Sequence, residues 1–411
     1  MNLVKLGEIC DFFNGGAWTQ SEFTEAGYPV LKVSNCKNSG FEIDDVSFIP
    51  YEIAQKSENN KLHIGDVIIA TVGSHPNLVE SAAGRSCIVT NKVQGFYLNQ
   101  NAVCLRSKDC DVLDQRYLGY LAASAPFKHY IQSRGKGAAN QMRIAIGAIK
   151  EYEFLLPEIQ IQRKIGATLT AYDDLIENNQ KQIKLLEEAA QRLYKEWFVD
   201  LRFPGHETTP ITDGIPEGWE DKVMEDLCDS IGGGTPSTKN DEYYRDGPIK
   251  WVTPTDITRK NGLILLDTEK KITEEGLQHS SAKMVPPYTI LMTSRASVGF
   301  FGLCEHEVCT NQGFISCIPY KENTRYYLLY NLMNRVDEIR AKASGSTFLE
   351  ISKKNFRELR IVLPTDSVLD EFTKLVFPMV RQMETLTKSI ATLQEARDRM
   401  LPKLMNGEIE V

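Results

Sequence analysis

The sequence predicts an α+β protein in which two strand-rich domains lie in tandem, separated by two long helices that form an antiparallel intramolecular coiled coil with pseudo-two-fold symmetry. Three observations predict this fold class. Short motifs recur in the same order in both halves of the chain. The earlier part of each half has the composition of a loop-rich β domain, and the later part has a heptad repeat of apolar residues.

The composition is that of an ordinary globular protein. The 411 residues suffice for two or three domains, and with 42% hydrophobic and 25% charged residues they exclude fibrous repeats and wholesale disorder. No uncharged apolar stretch approaches the roughly 18–20 residues of a membrane span, and the amino terminus lacks a signal-peptide core. The nine cysteines contain no Cys-x-x-Cys pair, which indicates reduced thiols. We therefore expect a cytoplasmic protein.

Six pairs of motifs indicate an internal duplication at an offset of roughly 210 residues. Each match is weak, but all six keep the same order, which chance does not readily produce. The matched pairs are residues 5–16 and 223–234, 29–34 and 248–253, 66–71 and 288–293, 99–100 and 311–312, 116–118 and 325–327, and 155–157 and 362–364.

Within each copy the pattern changes at a Leu-Pro, residues 156–157 and 363–364. Before it, short β-branched and aromatic runs are broken by Gly, Pro, Asn and Ser, and after it the apolar period is helical. A stretch rich in Pro, Gly and Thr connects the copies. We therefore predict a first domain at 1–155, a helical spacer at 156–202, a linker at 203–218, a second domain at 219–362 and a helical region at 363–411.

Both helical segments have a heptad seam in the same register. The spacing alternates between four and three residues, so the helices can pair as a coiled coil; two separate amphipathic helices are the alternative. Asn179 on the seam could fix the register, and Pro378 should kink or break the second helix. The seam positions are Ile165, Leu169, Tyr172, Ile176, Asn179, Ile183, Leu186, Ala190, Leu193 and Trp197, and Phe372, Val376, Met379, Met383, Leu386, Ile390, Leu393, Arg397, Met400 and Leu404.

Motifs of catalysis are weak or missing. The glycine-rich residues 232–234 are not followed by a helix-forming stretch, and residues 135–137 lack the rest of a phosphate-binding loop. Asp256 with residues 269–271 faintly resembles the carboxylates and lysine of a nuclease, at imperfect spacing. The six histidines show no metal-ligand or triad spacing. We expect no catalytic residue, no metal site and no cofactor bound by this chain.

Polar turns in both copies have the residue types that contact DNA. Two similar domains on a rigid spacer suit duplex DNA, whose half-sites recur about every 34–36 Å. Asn, Gln and Arg can pair with base edges, while Gly and Lys favour phosphate contact; turn geometry alone is the alternative for any one loop. The candidate DNA-binding residues are Trp18, Thr19, Gln20, Lys37, Asn38, Ser74, His75, Arg134, Lys136, Asn140, Gln141, Arg143, Thr235, Ser237, Thr238, Lys239, Thr255, Arg295, Ser297, Arg340, Lys342, Ser344, Ser346 and Thr347.

The charge distribution tempers this interpretation. A formal net charge of −8 argues against a phosphate-backbone partner when taken alone. However, residues 116–150 contain six Lys or Arg and no acid, and residues 325–360 contain eight against four acids. Two basic segments on an otherwise acidic chain predict weak DNA binding without partner proteins.

Taken together, these motifs and their order resemble the specificity subunit of type I restriction–modification systems, over essentially the whole chain. The first domain departs more, because Ala17, Trp18 and Thr19 replace Thr-Pro-Ser, and Arg295 has no clear counterpart near Gly73 and Ser74. The motifs that carry the resemblance lie at residues 156–162, 219–220, 227–229, 232–237, 251–257, 293–299, 311–312, 344–347, 351–352 and 363–364.

The resemblance implies a non-catalytic subunit that recognises a bipartite double-stranded DNA target. Each strand-rich domain would be a target-recognition domain for one half-site, and the helices would set the unread spacer and dock two modification subunits. Those subunits would supply S-adenosylmethionine and adenine-N6 methylation, and restriction subunits would supply ATP- and Mg²⁺-dependent cleavage. Two other readings stay open: a coiled-coil adaptor that joins protein partners, and a self-contained DNA-modifying or DNA-cleaving enzyme.

Overall fold

The computed structural model describes residues 2–37, 40–43, 45–74, 82–138, 141–259, 262–345 and 348–411, with the backbone alone at residues 138 and 141. The chain divides into two compact units. The first unit comprises Met1–Leu175 and Leu393–Val411, and the second unit comprises Ile176–Thr392. Each long helix therefore contributes residues to both units.

The first unit is built from short strands with helices packed on them. Its strands are β1 (Asn2–Lys5), β2 (Cys10–Asn14), β3 (Tyr28–Leu31), β4 (Cys36–Lys37), β5 (Gly40–Phe41), β6 (Ser47–Ile49), β7 (Val67–Ala70), β8 (Val72–Gly73), β9 (Ser86–Ile88), β10 (Tyr97–Leu98), β11 (Ala102–Ser107), β12 (Lys136–Ala138), β13 (Gln141–Arg143) and β14 (Glu153–Leu156). Its helices are α1 (Leu6–Ile9), α2 (Tyr51–Lys56), α3 (Gln115–Ala123), α4 (Ala125–Ser133), α5 (Ile146–Lys150) and the start of α6 (Ile159–Tyr194).

The second unit repeats this plan. Its strands are β15 (Ile211–Thr212), β16 (Ile215–Pro216), β17 (Glu220–Val223), β18 (Cys228–Gly232), β19 (Ile249–Val252), β20 (Lys271–Ile272), β21 (Met284–Val285), β22 (Ile290–Thr293), β23 (Phe301–Gly302), β24 (Val308–Thr310), β25 (Phe314–Pro319) and β26 (Arg360–Leu363). Its helices are α7 (Pro254–Thr258), α8 (Glu274–Gln278), α9 (Arg325–Asn334), α10 (Val336–Ala341), α11 (Lys353–Arg357) and most of α12 (Asp366–Met405).

The four-stranded sheet and two strand pairs of the first unit have counterparts in the second unit. The antiparallel sheet β2-β11-β7-β9 of the first unit matches β18-β25-β22-β23 of the second. The pair β1–β14 matches β17–β26, and the parallel pair β3–β10 matches β19–β24. The tandem repeat of strand-rich domains predicted from the sequence is therefore confirmed.

Apolar residues of the central strands form the cores. All four residues of β7 and all four of β22 are buried, as expected for β-branched and aliphatic strands covered on both faces. In the first unit this core extends to Leu169 of α6 and Leu404 of α12, and in the second unit to Phe372 of α12. The long helices are therefore part of the core of each unit rather than appendages.

The residues of the predicted heptad seam lie on the less exposed face of both long helices. Every seam residue is buried or partly buried. A π-helical turn, Lys195–Val199, extends α6 and places Trp197 in the core. The buried seam residues are Ile165, Leu169, Ile176, Ile183, Ala190, Trp197, Phe372, Val376, Met383, Leu386 and Leu404. The partly buried ones are Tyr172, Asn179, Leu186, Leu193, Met379, Ile390, Leu393, Arg397 and Met400.

The helices run antiparallel within each unit. In the first unit Nη1 of Arg397 lies 2.6 Å from Oδ1 of Asp173. In the second unit Nδ2 of Asn179 donates to Oγ of Ser389 at 3.1 Å, and the Trp197 ring lies 5.9 Å from the Phe372 ring. Residue numbers rise along α6 while those of its partners on α12 fall, which confirms the predicted orientation.

Pro378 does not break α12, which is continuous from Asp366 to Met405. The proline is exposed, and so is Lys374, whose carbonyl oxygen loses its helical donor. Since water can satisfy a carbonyl on the exposed face, the missing hydrogen bond is tolerated there. None of the described helices combines the length and the hydropathy needed to span a bilayer. All nine cysteines are free thiols.

Candidate nucleic-acid interface

Both predicted glycine-rich turns pack against the Asn-Gln turn of the same unit. In the first unit a Cβ at Gly15 would overlap the carbonyl oxygen of Asn99, and Gly16 donates its N–H to the carbonyl of Leu98 at 2.7 Å. In the second unit a Cβ at Gly233 would overlap the carbonyl oxygen of Thr310. Close backbone approach therefore requires glycine at these positions, so turn geometry accounts for Gly15 and Gly233.

Loops that hold several second-unit candidates are joined by hydrogen bonds at one rim of that unit. Oγ1 of Thr235 donates to Oε1 of Gln312. The N–H of Ser294 donates to the carbonyl of Gly313 at 2.8 Å, and the N–H of Ile351 donates to the carbonyl of Ser294 at 3.0 Å. The structure thereby connects four separate segments of sequence. The candidates on these segments are Thr235, Arg295, Ser297 and Ser344.

Other second-unit candidates flank this rim. Ser237, Thr238 and Lys239 form the turn that follows, and Thr238 lines an open cavity of about 420 Å³ together with Trp251. Thr255 lies in α7.

Two further candidates are Arg340, which lies in α10, and Lys342, which follows it. Nε of Arg340 donates to the carbonyl of Val298 at 3.0 Å, and Nζ of Lys342 lies 3.1 Å from Oε1 of Glu338. Ser346 and Thr347 fall outside the described residues.

First-unit candidates near the amino terminus have structural partners. The Trp18 side chain is only 8% exposed and packs among Val30, Ile49, Ala54 and Tyr97, so we assign it a packing role instead of a base contact.

The next two candidates lie at a short 3₁₀ turn that Gln20 begins. Oγ1 of Thr19, which precedes this turn, donates to the Glu22 carboxylate at 2.7 Å. Lys37 lies apart from the turn, on β4, and its Nζ lies 3.5 Å from the Glu42 carboxylate. Asn38, His75 and Asn140 fall outside the described residues, and so does the side chain of Gln141.

The basic loop of the first unit forms a hairpin that joins a three-stranded sheet. In the order β12-β13-β8, Arg143 stands between Lys136 on one side and Val72 on the other. Its neighbour Met142 is 3% exposed and lies in the core, so Arg143, on the opposite face of the strand, is exposed. Ser74 follows β8 directly. The structure thus brings two candidates, Lys136 and Arg143, side by side.

The second unit has the same three-stranded arrangement, reduced to single bridges. Glu350 stands between Ser344 and Arg295, with Nε of Arg295 3.7 Å from the Glu350 carboxylate. Arg295 therefore occupies the place of Val72, which is the counterpart that sequence comparison did not find. One backbone arrangement presents two positive charges in the first unit and an ion pair in the second.

Acidic partners reduce the positive charge of residues 325–360. Nε of Arg335 lies 2.7 Å from Oε2 of Glu338, whose Oε1 contacts Lys342. These contacts, led by the hydrogen bond from Arg335, lower the pKa of Glu338 to about 2. Arg360 pairs with Asp221, which lies outside the segment. A charge count along the sequence therefore overstates the basic character of this part of the fold.

The positive side chains of the first-unit basic loop are not neutralised by acidic side chains of the described residues. Arg134, Lys136 and Arg143 are exposed, and among the residues that the structure describes no carboxylate lies within ion-pair distance of any of them. The Arg134 guanidinium stacks 3.5 Å from the centroid of the Tyr130 ring and donates to the Tyr130 carbonyl at 3.2 Å. This hairpin, with Arg134 before it, is the most positive of the candidate loops.

The faint nuclease pattern is explained by local structure. Oδ2 of Asp256 accepts from the N–H of Thr253 at 2.8 Å and from its Oγ1 at 2.6 Å, and Oδ1 accepts from the N–H of Glu269 at 2.8 Å. This carboxylate caps α7 and ties it to the following loop. Within the described part of the chain, no three His, Cys, Asp or Glu side chains are grouped so that they could hold a metal ion.

Sequence reasoning missed several residues at these rims. Gln312 belongs to a motif that recurs in both copies but was not counted as a candidate. Arg357 lies on α11, and its Nε donates to Oγ of Ser230 at 2.7 Å, so it supports β18. Glu350 could have been found only from the register of the bridges, because nothing in the local sequence pairs it with Arg295.

Comparisons with known proteins place these units in a wider context. The sequence model described as "Type I restriction modification DNA specificity domain" matches twice, at residues 1–188 and 216–394. The chain is 24% identical over 320 residues to the type I restriction enzyme MjaIX specificity subunit of Methanocaldococcus jannaschii, covering 73% of this chain and 70% of the relative. It is also 24% identical over 390 residues to the type I restriction enzyme HindI specificity subunit of Haemophilus influenzae, covering 79% of this chain and 84% of that relative.

The fold is also similar to that of a solved structure. That structure is the S subunit of a type I restriction–modification system from M. genitalium, with a TM-score of 0.61 at 16% sequence identity. The match covers 98% of this chain and 96% of that one.

Proposed function

The chain belongs to the family of type I restriction modification DNA specificity domains, and from that premise we propose that it selects the DNA sequence for a type I restriction–modification complex. Each unit reads one half of a bipartite double-stranded target. The chain acts with DNA and with other restriction–modification subunits, and it is the specificity component among them.

One observation supports this division of labour most strongly. The two units share a backbone arrangement at the rim but present different side chains there, with Arg143 in one unit at the place of Glu350 in the other. Base readers need this combination, because a common scaffold fixes the approach while the side chains set the hydrogen-bond pattern. Identical units would read identical half-sites.

The long helices supply the second part of the proposal. They set the length of the unread spacer and dock two modification subunits, which bring S-adenosylmethionine and methylate adenine at N6. Restriction subunits add cleavage that depends on ATP and Mg²⁺. The chain itself is non-catalytic and works in the cytoplasm. Its net charge of −8 fits a subunit that binds DNA weakly until basic surfaces of partners join it.

The test exchanges one unit and reads the methylated sequence. The chain is produced with its modification subunits, and methylated adenines are mapped over a whole genome. Replacing residues 1–155 by the corresponding domain of a relative should change one half of the methylated target and leave the other half intact. The matched exchange of residues 219–362 should change the other half. If either exchange alters both halves, the units do not read DNA independently.

Two outcomes would favour other functions. Methylation or cleavage of DNA by the purified chain alone would establish an enzyme. A reconstituted complex that binds all duplexes equally in a gel shift would favour an adaptor that only joins protein partners.

A further inference from the structure

The hairpin β12–β13 presents two cations directly opposite each other. Lys136 and Arg143 are cross-strand partners in the register of the antiparallel pair. Side chains at such positions lie on the same face, with Cβ atoms about 4.5–5.5 Å apart. The inward-facing Met142 anchors the strand in the core, so the face that carries Arg143 points to solvent.

Like charges placed this way destabilise a hairpin unless something neutralises them. Among the described residues no carboxylate does so for either side chain. Arg134 adds a third positive charge two residues before Lys136 and is held by its contact with the Tyr130 ring. The arrangement therefore favours an external anion close to the paired side chains.

The chemistry of the pair indicates which anion. A guanidinium offers a fork of N–H donors that matches two oxygens of a phosphate, and an ammonium adds a mobile point charge. Backbone phosphates of duplex DNA are spaced at regular intervals, and a protein that neutralises one of them releases condensed counterions.

We propose that Lys136 and Arg143 together bind one backbone phosphate of DNA, and that this salt-sensitive anchor belongs to the first unit alone. The proposal rests on the proposed function, since it names a contact within the DNA interface. In the second unit the place of Arg143 is taken by Glu350, which lies 3.7 Å from Arg295. A phosphate at that point would meet a carboxylate, so the second unit lacks the same contact.

The test measures the salt dependence of DNA binding by the complete complex. The double variant Lys136→Gln/Arg143→Gln is compared with Lys222→Gln/Lys321→Gln, which removes the same charge from second-unit residues that already contact Glu220 and Asp366 and are not candidates for DNA contact. Dissociation constants are measured from about 50 to 200 mM salt on a duplex with the mapped target and on a scrambled duplex.

The first variant should reduce the slope of log affinity against log salt by about 1, on both duplexes. The loss of affinity between the two salt limits should then be about 3-fold smaller than in the unchanged complex. The second variant should change the slope clearly less. The conservative variant Lys136→Arg should keep the original slope, which separates charge from folding.

An unchanged slope in the first variant, or an equal change in both, would overturn the anchor. A complex without preference for the target duplex would overturn the proposed function. The slope on either duplex would still decide the anchor, because a phosphate contact does not depend on sequence.

Discussion

Asn179 on α6 donates through Nδ2 to Oγ of Ser389 on α12 at 3.1 Å, in the middle of the apolar seam. A polar residue at such a position specifies register and costs stability. The pair thus restricts how the two helices can slide past each other. Its neighbours on the seam, Ile176 and Ile183, are each 6% exposed.

The double variant Asn179→Leu/Ser389→Ala should stabilise the protein, because it replaces a neutral hydrogen bond by apolar packing. We expect a gain of about 1 kcal/mol and a rise of roughly 2 °C or more in Tm. The single variant Ser389→Ala should have the opposite effect, because it leaves the amide of Asn179 without this partner. Thermal unfolding of both variants measures the difference. Equal Tm values for the two variants would mean that the hydrogen bond between Asn179 and Ser389 does not determine the change in stability.

Phe372 should be a large contributor to stability. Its side chain is fully buried and its ring lies 4.9 Å from Phe198 and 5.9 Å from Trp197. Phe372→Ala should lower the free energy of unfolding by about 3–5 kcal/mol, because it removes a large ring and leaves a cavity. Leu375→Ala, three residues further on the same helix but 46% exposed, is the matched control and should cost well under about 1 kcal/mol. Urea unfolding followed by circular dichroism gives both values.

The sequence predicted the buried faces of the long helices better than the surroundings of the candidate residues in the loops, for a physical reason. A heptad period reports directly which face of a helix is buried, so the seam residues from Ile165 to Leu404 could be identified one by one. Trp18 has no such period around it, and its place in a core cluster depends on Tyr97, far along the chain. Isolated apolar residues in polar turns are therefore the hardest to assign.

The charges show the same limit. Arg360 was counted as part of a basic patch, yet it pairs with Asp221 because β17 and β26 are neighbours in the sheet. Likewise, Val72 could not be recognised as the counterpart of Arg295 without the strand register. Strand pairing between distant segments determines which charged side chains meet an opposite charge. The register of that pairing cannot be read from a single sequence.

Alkaline pH should weaken the second unit through Tyr194. Burial raises the pKa of Tyr194 to about 12, against the opposing hydrogen bond that Asn331 donates to its hydroxyl at 2.9 Å. A folded-state pKa above the unfolded value of about 10 means that the stabilisation is complete below pH 10 and is lost as the pH rises towards 12.

Tyr194→Phe should therefore flatten the decrease in stability between about pH 10 and pH 12, although it lowers stability at neutral pH by removing the hydrogen bond. Tyr51→Phe changes a side chain that is 62% exposed and serves as the control. Urea midpoints of both variants and of the unchanged protein, measured across this pH range, show whether Tyr194 causes the loss of stability. A pH profile of Tyr194→Phe as steep as that of the unchanged protein would assign the alkaline loss to other groups.

The proposed spacer role of the helices leads to a geometric prediction. Seven residues inserted after Gln180 in α6, with seven inserted after Thr387 in α12, keep the heptad register on both sides of each insertion because a heptad is one full repeat. Antiparallel packing places these two points next to each other, since Asn179 contacts Ser389. The helix pair then grows by about 10 Å, at 1.5 Å per residue. On B-DNA this corresponds to about 3 base pairs, so mapped methylated targets should keep both half-sites and gain about 3 base pairs between them.

The same seven residues inserted into the linker at 203–218 lengthen the chain without lengthening a helix and should leave the spacer unchanged. If the double helix insertion also leaves the spacer unchanged while methylation persists, the helices do not measure the distance between the half-sites.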